Sequence, residues 1–597
     1  MVELPRLQFS SSLGPDLVRA APAYVRFIRN RVRESEAWLL FTAIGIGAAS
    51  GVMARLLNFA SDWLHQELFG MPYGERLSAL NHPLGWRLLW LPFGGLLLGA
   101  LTWLWRRAYP RPIVDPVEAN ALRGGAMSFR DSLVLAAQTL ISNGFGASVG
   151  LEAAYAQLGG GLASSLGMRL KTRRTDLRTL VGAGAGASIA AAFGAPLTGA
   201  FYAFELIMGS YTVASLAPVV GACLAGYLAE RAMGGVPSVI QQATQMNLVT
   251  SDYLICAALG LVAAPVGIAI MRLVNFVEAS MQRMKVPRLV QPMIGGVAAA
   301  FLALQTPEVL ASGHGALEMH LAHPAELGPV TADFLLKAAA SIICLGCGFR
   351  GGLFFASLLL GALFGQMYWF ALELANAPHL PDMTVTALVG MAALAAGVVG
   401  GPLTMSFLVL ETTGDIKLAG ATLAATLVCS LVVRRFFGYS FSTWRFHLRG
   451  ETIRSAHDVG RIRSLTAGKM MRQNPPTSLA SVTVAEFKRR YPLGSVQRVV
   501  LLDTEGRYAG IVVVSDAHAP DRDETEQVSA VGRNRALALR ADTNVKDAMQ
   551  AFETSHSDEL AVVDSQGAVL GLLTENYAAR RYAEELEKTR QELVGES

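Results

Sequence analysis

Residues 144–161 read GFGASVGLEAAYAQLGGG, an apolar run that is interrupted by glycines and holds one carboxylate, that of Glu152. An ionisable side chain in such a run is costly at membrane depth unless it faces a polar cavity. Glycines let the backbone turn so that a helix begins, and the first turn of a helix presents unpaired N–H groups that attract anions. The stretch predicts a helix start on an anion pathway. The alternative is a packing face of small residues with a glutamate at a helix N-terminus.

The composition is that of a polytopic membrane protein. The chain has 597 residues, of which 52% are hydrophobic and 16% are charged, and its mean hydropathy is +0.38. Charged residues are sparse from about residue 37 to 437 and dense after residue 445, which predicts a membrane domain followed by a soluble domain. The net charge of +4 comes without a basic face interleaved with aromatic residues, so we expect no nucleic-acid partner.

The N-terminal segment and the cysteines carry two further expectations. Residues 1–36 are rich in arginine and lack an apolar core followed by a cleavage site, which predicts a cytoplasmic N-terminus rather than a signal peptide. Cys344 and Cys347 are spaced as CxxC, but no second pair and no nearby histidine cluster accompany them. We interpret them as buried thiols, and we expect no metal and no cofactor.

Two segments of the membrane domain match each other. Pro-Leu-Thr begins at Pro196 and again at Pro402, and in both segments a phenylalanine follows five residues and a glutamate nine residues after the proline. The matched residues are Glu205 and Glu411. Either could be a helix-end carboxylate that reaches an interface or a cation, and we favour this interpretation for Glu411. The match indicates an internal duplication, and short apolar segments in corresponding positions of two halves are typical of transporters built from repeats.

A second glycine-led helix start lies in the later half. Residues 346–356 read GCGFRGGLFFA and lead into an apolar helix. Two such helix starts, one from each half, would point their N–H groups at one place near the middle of the membrane. The sequence therefore predicts an anion site made of backbone N–H groups.

These stretches together resemble the CLC family of chloride channels and chloride/proton exchangers. The best match runs from GMAALAA at residues 390–396 through PLT at 402–404 to LVLETT at 408–413, and residues 150–159 are similar to the family's GREGPxxQxG motif. The resemblance implies an all-α polytopic membrane domain over residues 37–450, built as an inverted repeat of broken helices with halves of about 37–280 and 281–450. It also implies a homodimer in a bilayer, most simply a bacterial inner membrane, that carries chloride or a similar monovalent anion.

The resemblance also assigns roles to residues. Glu152 becomes the gating glutamate, whose carboxylate competes with the anion. The residues expected to border the bound anion are Leu151, Glu152, Ala153, Leu353, Phe354, Phe355, Ile113 and Ser442.

Several positions depart from the family pattern. Ile113 stands where the family has an anion-contacting serine, Ser442 where it has an inner tyrosine, and Leu206 where it has an inner proton-transfer glutamate. With that glutamate missing, Glu205 could join Glu152 on a proton path, or water could carry the proton. Channel-like conduction and proton-coupled exchange both stay open.

The C-terminal part contains a second repeat. VVLLD at residues 499–503 and LAVVD at 560–564 are each followed by a glycine and a glycine-led apolar strand. This resembles a tandem CBS pair, an α/β domain expected on the cytoplasmic side, with repeats at 465–529 and 530–583, a linker at 451–464 and a terminal helix at 584–597. Asp516 and Thr574 each supply half of the family's nucleotide pattern, and we favour a dimerisation module over an adenine-nucleotide sensor.

Two other functions remain as alternatives. An intramembrane enzyme would need a nucleophile–base pair or metal ligands, and the candidates are His314, His320 and His323 with Glu318, whose spacing does not favour a metal site. A CBS-regulated cation transporter would need several acidic residues on one path. We therefore expect a transport protein that is not an enzyme.

Overall fold

The structure is a computed structural model. It describes residues 36–594 except 73, 81–83, 111, 236–247, 324, 442, 445–464, 536 and 556, and it leaves out the side chains of residues 546 and 585–594. The chain divides between residues 458 and 459 into two compact units, which are described separately. The N-terminal segment before Glu36 and the expected linker at 451–464 lie outside the described residues.

The described residues of the first unit form helices joined by short loops. The helices of its first half are α1 (Glu36–Phe69), α2 (Trp90–Ala108), α3 (Pro116–Leu122), α4 (Phe129–Gly144), α5 (Glu152–Arg169), α6 (Arg174–Phe193), α7 (Pro196–Tyr202), a π-helix (Ala203–Met208) and α8 (Val213–Ala232). Those of the second half are α9 (Thr250–Arg283), α10 (Gln291–Ala303), α11 (His314–Ala322), α12 (Leu327–Gly346), α13 (Phe354–Leu374), α14 (Met383–Val399), α15 (Pro402–Thr413) and α16 (Ile416–Phe436). Short 3-10 turns cover Leu77–Ala79, Gly85–Leu89 and Pro307–Val309.

Several of these helices have the length and composition of membrane spans. Among the described residues, seven helices are apolar and long enough to cross a bilayer. Others are apolar but shorter, at 10–17 residues, among them Pro196–Met208 and Met383–Val399. Spanning helices mixed with short, broken ones confirm the predicted polytopic all-α membrane domain.

The two Pro-Leu-Thr helices, α7 and α15, begin at their prolines and exchange carboxylates. Proline suits the first helical position, where a missing N–H costs little. The carboxylate of Glu411 accepts hydrogen bonds from Leu197 N (2.7 Å), Thr198 N (2.8 Å) and Thr198 Oγ1 (2.8 Å) at the start of α7. The carboxylate of Glu205 accepts from Leu403 N (3.0 Å), Thr404 N (2.8 Å) and Thr404 Oγ1 (2.7 Å) at the start of α15. Each half therefore caps a helix of the other half.

Glycine contacts bring neighbouring helices close together in both halves. A Cβ atom on Gly159 of α5 would lie 2.1 Å from the carbonyl oxygen of Gly184 in α6. A Cβ atom on Gly361 of α13 would lie 2.4 Å from the carbonyl oxygen of Gly390 in α14. Small residues permit this backbone approach, and dispersion between the closely packed helices stabilises it. The contacts hold α5 against α6 and α13 against α14.

The second unit contains two copies of one strand arrangement. Its elements are α17 (Ala467–Met470), β1 (Arg472–Gln473), β2 (Thr477–Leu479), α18 (Val484–Arg490), β3 (Arg498–Leu502), β4 (Tyr508–Val513), α19 (Val514–Ala517), a 3-10 turn (Val528–Val531), β5 (Leu539–Arg540), α20 (Val545–Ser555), β6 (Glu559–Val563), β7 (Val569–Thr574) and α21 (Glu575–Val594). β2 pairs parallel to β3 and β3 antiparallel to β4, and β5, β6 and β7 repeat that order. Even the register shift recurs, at Leu501/Leu502 and at Val562/Val563.

The start of the expected first repeat packs with the second. β1 pairs antiparallel with β7, and Leu465 and Met470 lie in the same hydrophobic core as Leu539 and Phe552. Residues 465–473 therefore belong structurally to the second half of the α/β unit, because their apolar side chains complete its core rather than that of β2–β4.

Candidate functional site

The loops before α5 and α13 are joined to each other. Gly150 N donates to Gly352 O at 3.0 Å, and Gly352 N donates to Gly150 O at 3.1 Å. This isolated antiparallel bridge holds the starts of the two helices side by side. The two glycine-led helix starts singled out in the sequence thus meet at one place, and their first-turn N–H groups lack intrahelical acceptors.

The Glu152 side chain occupies the space between these helix starts. Its Oε1 accepts a hydrogen bond of 2.9 Å from Phe355 N in the first turn of α13, and the residue is only 4% exposed. Its Oε2 has no hydrogen-bond partner among the described residues. A buried carboxylate that makes one bond at a helix N-terminus is attracted by the N–H groups and is held only loosely by other contacts.

Glycine at two positions makes room for this carboxylate. A Cβ atom on Gly150 would lie 1.9 Å from Glu152 Oε2, and one on Gly352 would lie 2.7 Å from the same oxygen. Any side chain at either position would overlap the carboxylate, so the conformation of Glu152 depends on one glycine from each half.

Two cavities meet at Glu152. A large cavity of about 480 Å³ is lined by residues that include Arg55, His65, Tyr155, His314 and Glu318. A small cavity of about 260 Å³ is lined by residues that include Ile113, Gln157, Tyr202 and Phe441. Glu152 borders both cavities. Of the described residues, Glu152 is the one that the two linings have in common.

The small cavity combines apolar walls with basic side chains. Arg106 and Arg350 line it, as does Asp115, whose carboxylate caps α3 by accepting from Glu118 N at 2.8 Å. Gln157 also lines it and donates to Val114 O at 2.9 Å, which fixes the amide. The described lining therefore carries two guanidinium groups and two carboxylates, those of Asp115 and Glu152.

The expected anion-site residues divide by location. Those that line the small cavity are Ile113, Glu152, Ala153, Leu353 and Phe354. Leu151 lines the large cavity instead, and Ser442 lies outside the described residues. Phe355 contributes its N–H to Glu152, and its ring stacks on His314 with centroids 3.4 Å apart.

The second proton-path candidate lies elsewhere. Glu205 lines neither of the two cavities, and both of its carboxylate oxygens accept hydrogen bonds from the start of α15. The π-helix that carries it aims the side chain at that neighbouring helix. Its role in proton movement stays a prediction.

Two features of the site were missed by the sequence reasoning. Tyr202 lines the small cavity and lies near Phe354, with ring centroids 6.2 Å apart. Its only sequence signal was its place in the helix that begins at Pro196. Among the histidines considered as metal ligands, His314 lines the large cavity, whereas His320 lies beside two carboxylates, those of Glu308 and Asp333, which come from neighbouring elements of the chain.

In the α/β unit, the two nucleotide candidates make ordinary local contacts. The carboxylate of Asp516 pairs with Arg533. The hydroxyl of Thr574 accepts from Tyr577 N at 3.3 Å, at the start of α21. Nucleotide binding at these residues stays a prediction.

Comparisons with known proteins agree with this geometry. Residues 94–434 match the family described as "Voltage gated chloride channel", and residues 528–584 match the CBS domain. The voltage-gated ClC-type chloride channel ClcB of Citrobacter koseri is 30% identical over 406 residues, which cover 66% of this chain and 95% of that protein.

Solved structures show the same fold. A slow cyanobacterial Cl⁻/H⁺ antiporter superposes with a TM-score of 0.61 at 22% identity, over 69% of this chain and 97% of that one. A eukaryotic CLC transporter superposes with a TM-score of 0.58 at 17% identity and covers 90% of this chain and 97% of its own. The chain therefore belongs to the CLC family of voltage-gated chloride channels, as an integral membrane protein that carries a CBS domain in its C-terminal unit.

Proposed function

We propose that the protein transports chloride, or a similar monovalent anion, across a membrane along a path gated by Glu152. The observation that carries the proposal is the position of this carboxylate, which borders both cavities and accepts from Phe355 N. An anion needs the same N–H donors as the carboxylate, so the two exclude each other. When the side chain moves into the large cavity, the donors of α13 become available to the anion.

The basic residues support an orientation. α1 begins after the arginine-rich N-terminal segment. The residues of α1 that line the large cavity lie between Arg55 and Gln66, in the later half of that helix. The small cavity reaches Arg106, beside Arg107 at the end of α2. By the positive-inside rule, the small cavity faces the cytoplasm and the large cavity the outside. We propose that the α/β unit, which follows Arg434 and Arg435, is cytoplasmic, as the same rule favours, and that the membrane is a bacterial inner membrane, as family resemblance implies.

The inner side of the pathway differs from the family pattern. Leu206 replaces the inner proton-transfer glutamate, and Glu205 is engaged as a helix cap. We assign to the Tyr202 hydroxyl the polar contact at the inner end that the family's tyrosine would supply, because Tyr202 lines the small cavity. A proton that reaches Glu152 from this side would then travel through water rather than along a second carboxylate.

We propose that each copy contains its own pathway, since the described residues of one chain line both cavities that Glu152 borders. We propose that two copies pair in the membrane, as family resemblance implies, and that the CBS pair contributes to pairing or regulation. The Asp516–Arg533 ion pair favours a structural role for the α/β unit over nucleotide sensing.

A flux measurement in liposomes tests the proposal. Purified protein is reconstituted with internal chloride, and efflux is followed with a chloride electrode after addition of valinomycin and a protonophore. We expect chloride efflux from the parent and no efflux from empty vesicles. Absence of anion flux in the parent and in Glu152→Ala would overturn the proposal.

The same vesicles separate exchange from conduction. Without protonophore, a chloride gradient is imposed and internal pH is followed with a trapped dye. Proton movement against its gradient identifies exchange, whereas chloride flux with no such movement identifies a channel.

A further inference from the structure

We propose that Glu308, His320 and Asp333 bind a divalent transition-metal cation, with Zn²⁺ as the probe, and that the bound cation slows anion flux through the large cavity. The three residues come from three separate elements: the 3-10 turn Pro307–Val309, α11 and α12. Their ligand atoms all lie within 4.8 Å of one another. The binding claim stands by itself, and the effect on flux rests on the proposed transport function.

The distances suit a small cation. His320 Nε2 lies 2.7 Å from Glu308 Oε2 and 3.7 Å from Asp333 Oδ2. Ligands about 2.1 Å from a tetrahedral Zn²⁺ are separated by roughly 3.4 Å, so only small side-chain shifts would admit the ion. A water molecule would supply the fourth ligand.

The ligand types suit a transition metal. One imidazole with two carboxylates is a donor set that Zn²⁺ and its neighbours accept, whereas Ca²⁺ and Mg²⁺ prefer oxygen alone. Two carboxylates also match the charge of a divalent cation. The alternative is a structural ion pair in which a protonated His320 joins the two acids without any metal.

Burial and contacts from neighbouring residues hold the three ligand residues in place, and their partial exposure leaves a route for a cation to enter. The side chain of His320 is 6% exposed, and those of Glu308 and Asp333 are 17% and 16% exposed. Gln366 Nε2 donates to His320 O at 2.8 Å, and the Thr306 side chain bonds to Asp333. The Thr306 contact orients a ligand side chain, as outer contacts do at metal sites, and the Gln366 contact holds the backbone of α11 at His320.

A neighbouring ammonium limits the expected affinity. Lys337 lies one helical turn after Asp333 on α12, and its Nζ donates to Val309 O at 3.1 Å and to Ala311 O at 3.0 Å. These bonds tie the segment after Glu308 to α12, and the positive charge opposes a second cation nearby. We therefore expect micromolar rather than nanomolar binding.

The site is connected to the wall of the large cavity. Ala311, Gly313 and His314 line this cavity, as does Glu318 on α11. Glu308 comes just before this lining segment, and His320 comes just after Glu318. A cation bound by both Glu308 and His320 would hold this wall of the large cavity in place, and Glu152 must move into that cavity. His314 would transmit the restraint, because its ring stacks on Phe355.

Calorimetric titration of the full-length protein in detergent with Zn²⁺ tests the binding. The variants are Glu308→Gln and His320→Gln, and the controls are His323→Gln, an exposed histidine on the same segment, and His379→Gln, which removes a second histidine–carboxylate pair with Asp252. We expect one Zn²⁺ per chain in the parent and in both controls, and at least about tenfold weaker binding in the two variants. Equal affinity in the parent and in His320→Gln would overturn the site.

Flux measurement with Zn²⁺ on the outside tests the consequence. We expect Zn²⁺ to slow chloride flux at least twofold in the parent and in His323→Gln, and to leave His320→Gln unchanged. Binding by calorimetry without any slowing would overturn the link to the cavity wall. Because calorimetry does not depend on transport, failure of the transport proposal would leave the binding result intact.

Discussion

The rings of Phe201 and Phe407 stack face to face, with centroids 4.1 Å apart and planes inclined by 8°. They are the matched phenylalanines of the two Pro-Leu-Thr segments, so each phenylalanine contacts its equivalent in the other half. The same two segments also exchange the caps of Glu205 and Glu411. The duplication visible in the sequence is therefore also a contact surface that holds the halves together.

Replacing either capping glutamate by glutamine should cost the same stability. An amide places an N–H₂ group near the N–H donors of Leu403 or Leu197, so we expect Glu205→Gln and Glu411→Gln each to lower the free energy of unfolding by about 1–3 kcal/mol. Thermal unfolding in detergent measures this. A loss of proton coupling in Glu205→Gln that Glu411→Gln does not share would instead place Glu205 on a proton path.

The charge of Glu152 should make anion flux depend on pH. At higher pH the ionised carboxylate competes with the anion for the N–H groups of α13, and protonation at lower pH removes that competition. We therefore expect flux in the parent to rise as pH falls and flux in Glu152→Gln to be nearly independent of pH, whereas Glu152→Ala conducts faster at neutral pH. Chloride efflux measured across a pH series checks this, and an unchanged pH profile in Glu152→Gln would show that another group is the gate.

A methyl group at Gly150 should act through Glu152. The Cβ atom of Gly150→Ala would overlap Glu152 Oε2, so we expect the carboxylate to leave its position and flux to change in the direction of Glu152→Ala. A double-mutant cycle isolates this effect. Gly150→Ala should change efflux in the parent background and should have little further effect in the Glu152→Ala background. Equal effects in both backgrounds would mean that the methyl group distorts the bridge to Gly352 instead.

Local sequence signals were sufficient to predict the membrane domain and to single out Glu152 as the candidate gate. Glycine runs and Pro-Leu-Thr mark where helices begin. A lone carboxylate in an apolar stretch is costly unless it faces a polar cavity, so Glu152 could be singled out without a structure. The strand, turn and strand order around Asp503 and Asp564 likewise depends on neighbouring residues alone.

Contacts between distant segments could not be predicted in this way. The sequence indicated that Glu205 and Glu411 end helices, but their exchange of partners depends on how the two inverted halves pack. The His320 cluster was missed for a similar reason, because Glu308 precedes it by 12 residues and Asp333 follows on another helix. The packing of residues 465–473 with the second CBS repeat is also set by a shared core rather than by local pattern.

Close helix packing at Gly159 should make the contact between α5 and α6 sensitive to added volume. A Cβ atom there would lie 2.1 Å from Gly184 O, a backbone atom that cannot move without moving α6. We expect Gly159→Ala to lower the free energy of unfolding by about 1–3 kcal/mol or more.

Gly45, within α1, is the matched control, because nothing lies within 4 Å of the Cβ atom that alanine would add. There we expect Gly45→Ala to be neutral or to stabilise by about 0.5–1 kcal/mol through helix propensity. Thermal unfolding of both variants in the same detergent checks the pair, and equal melting temperatures would mean that α5 and α6 separate more easily than their contact implies.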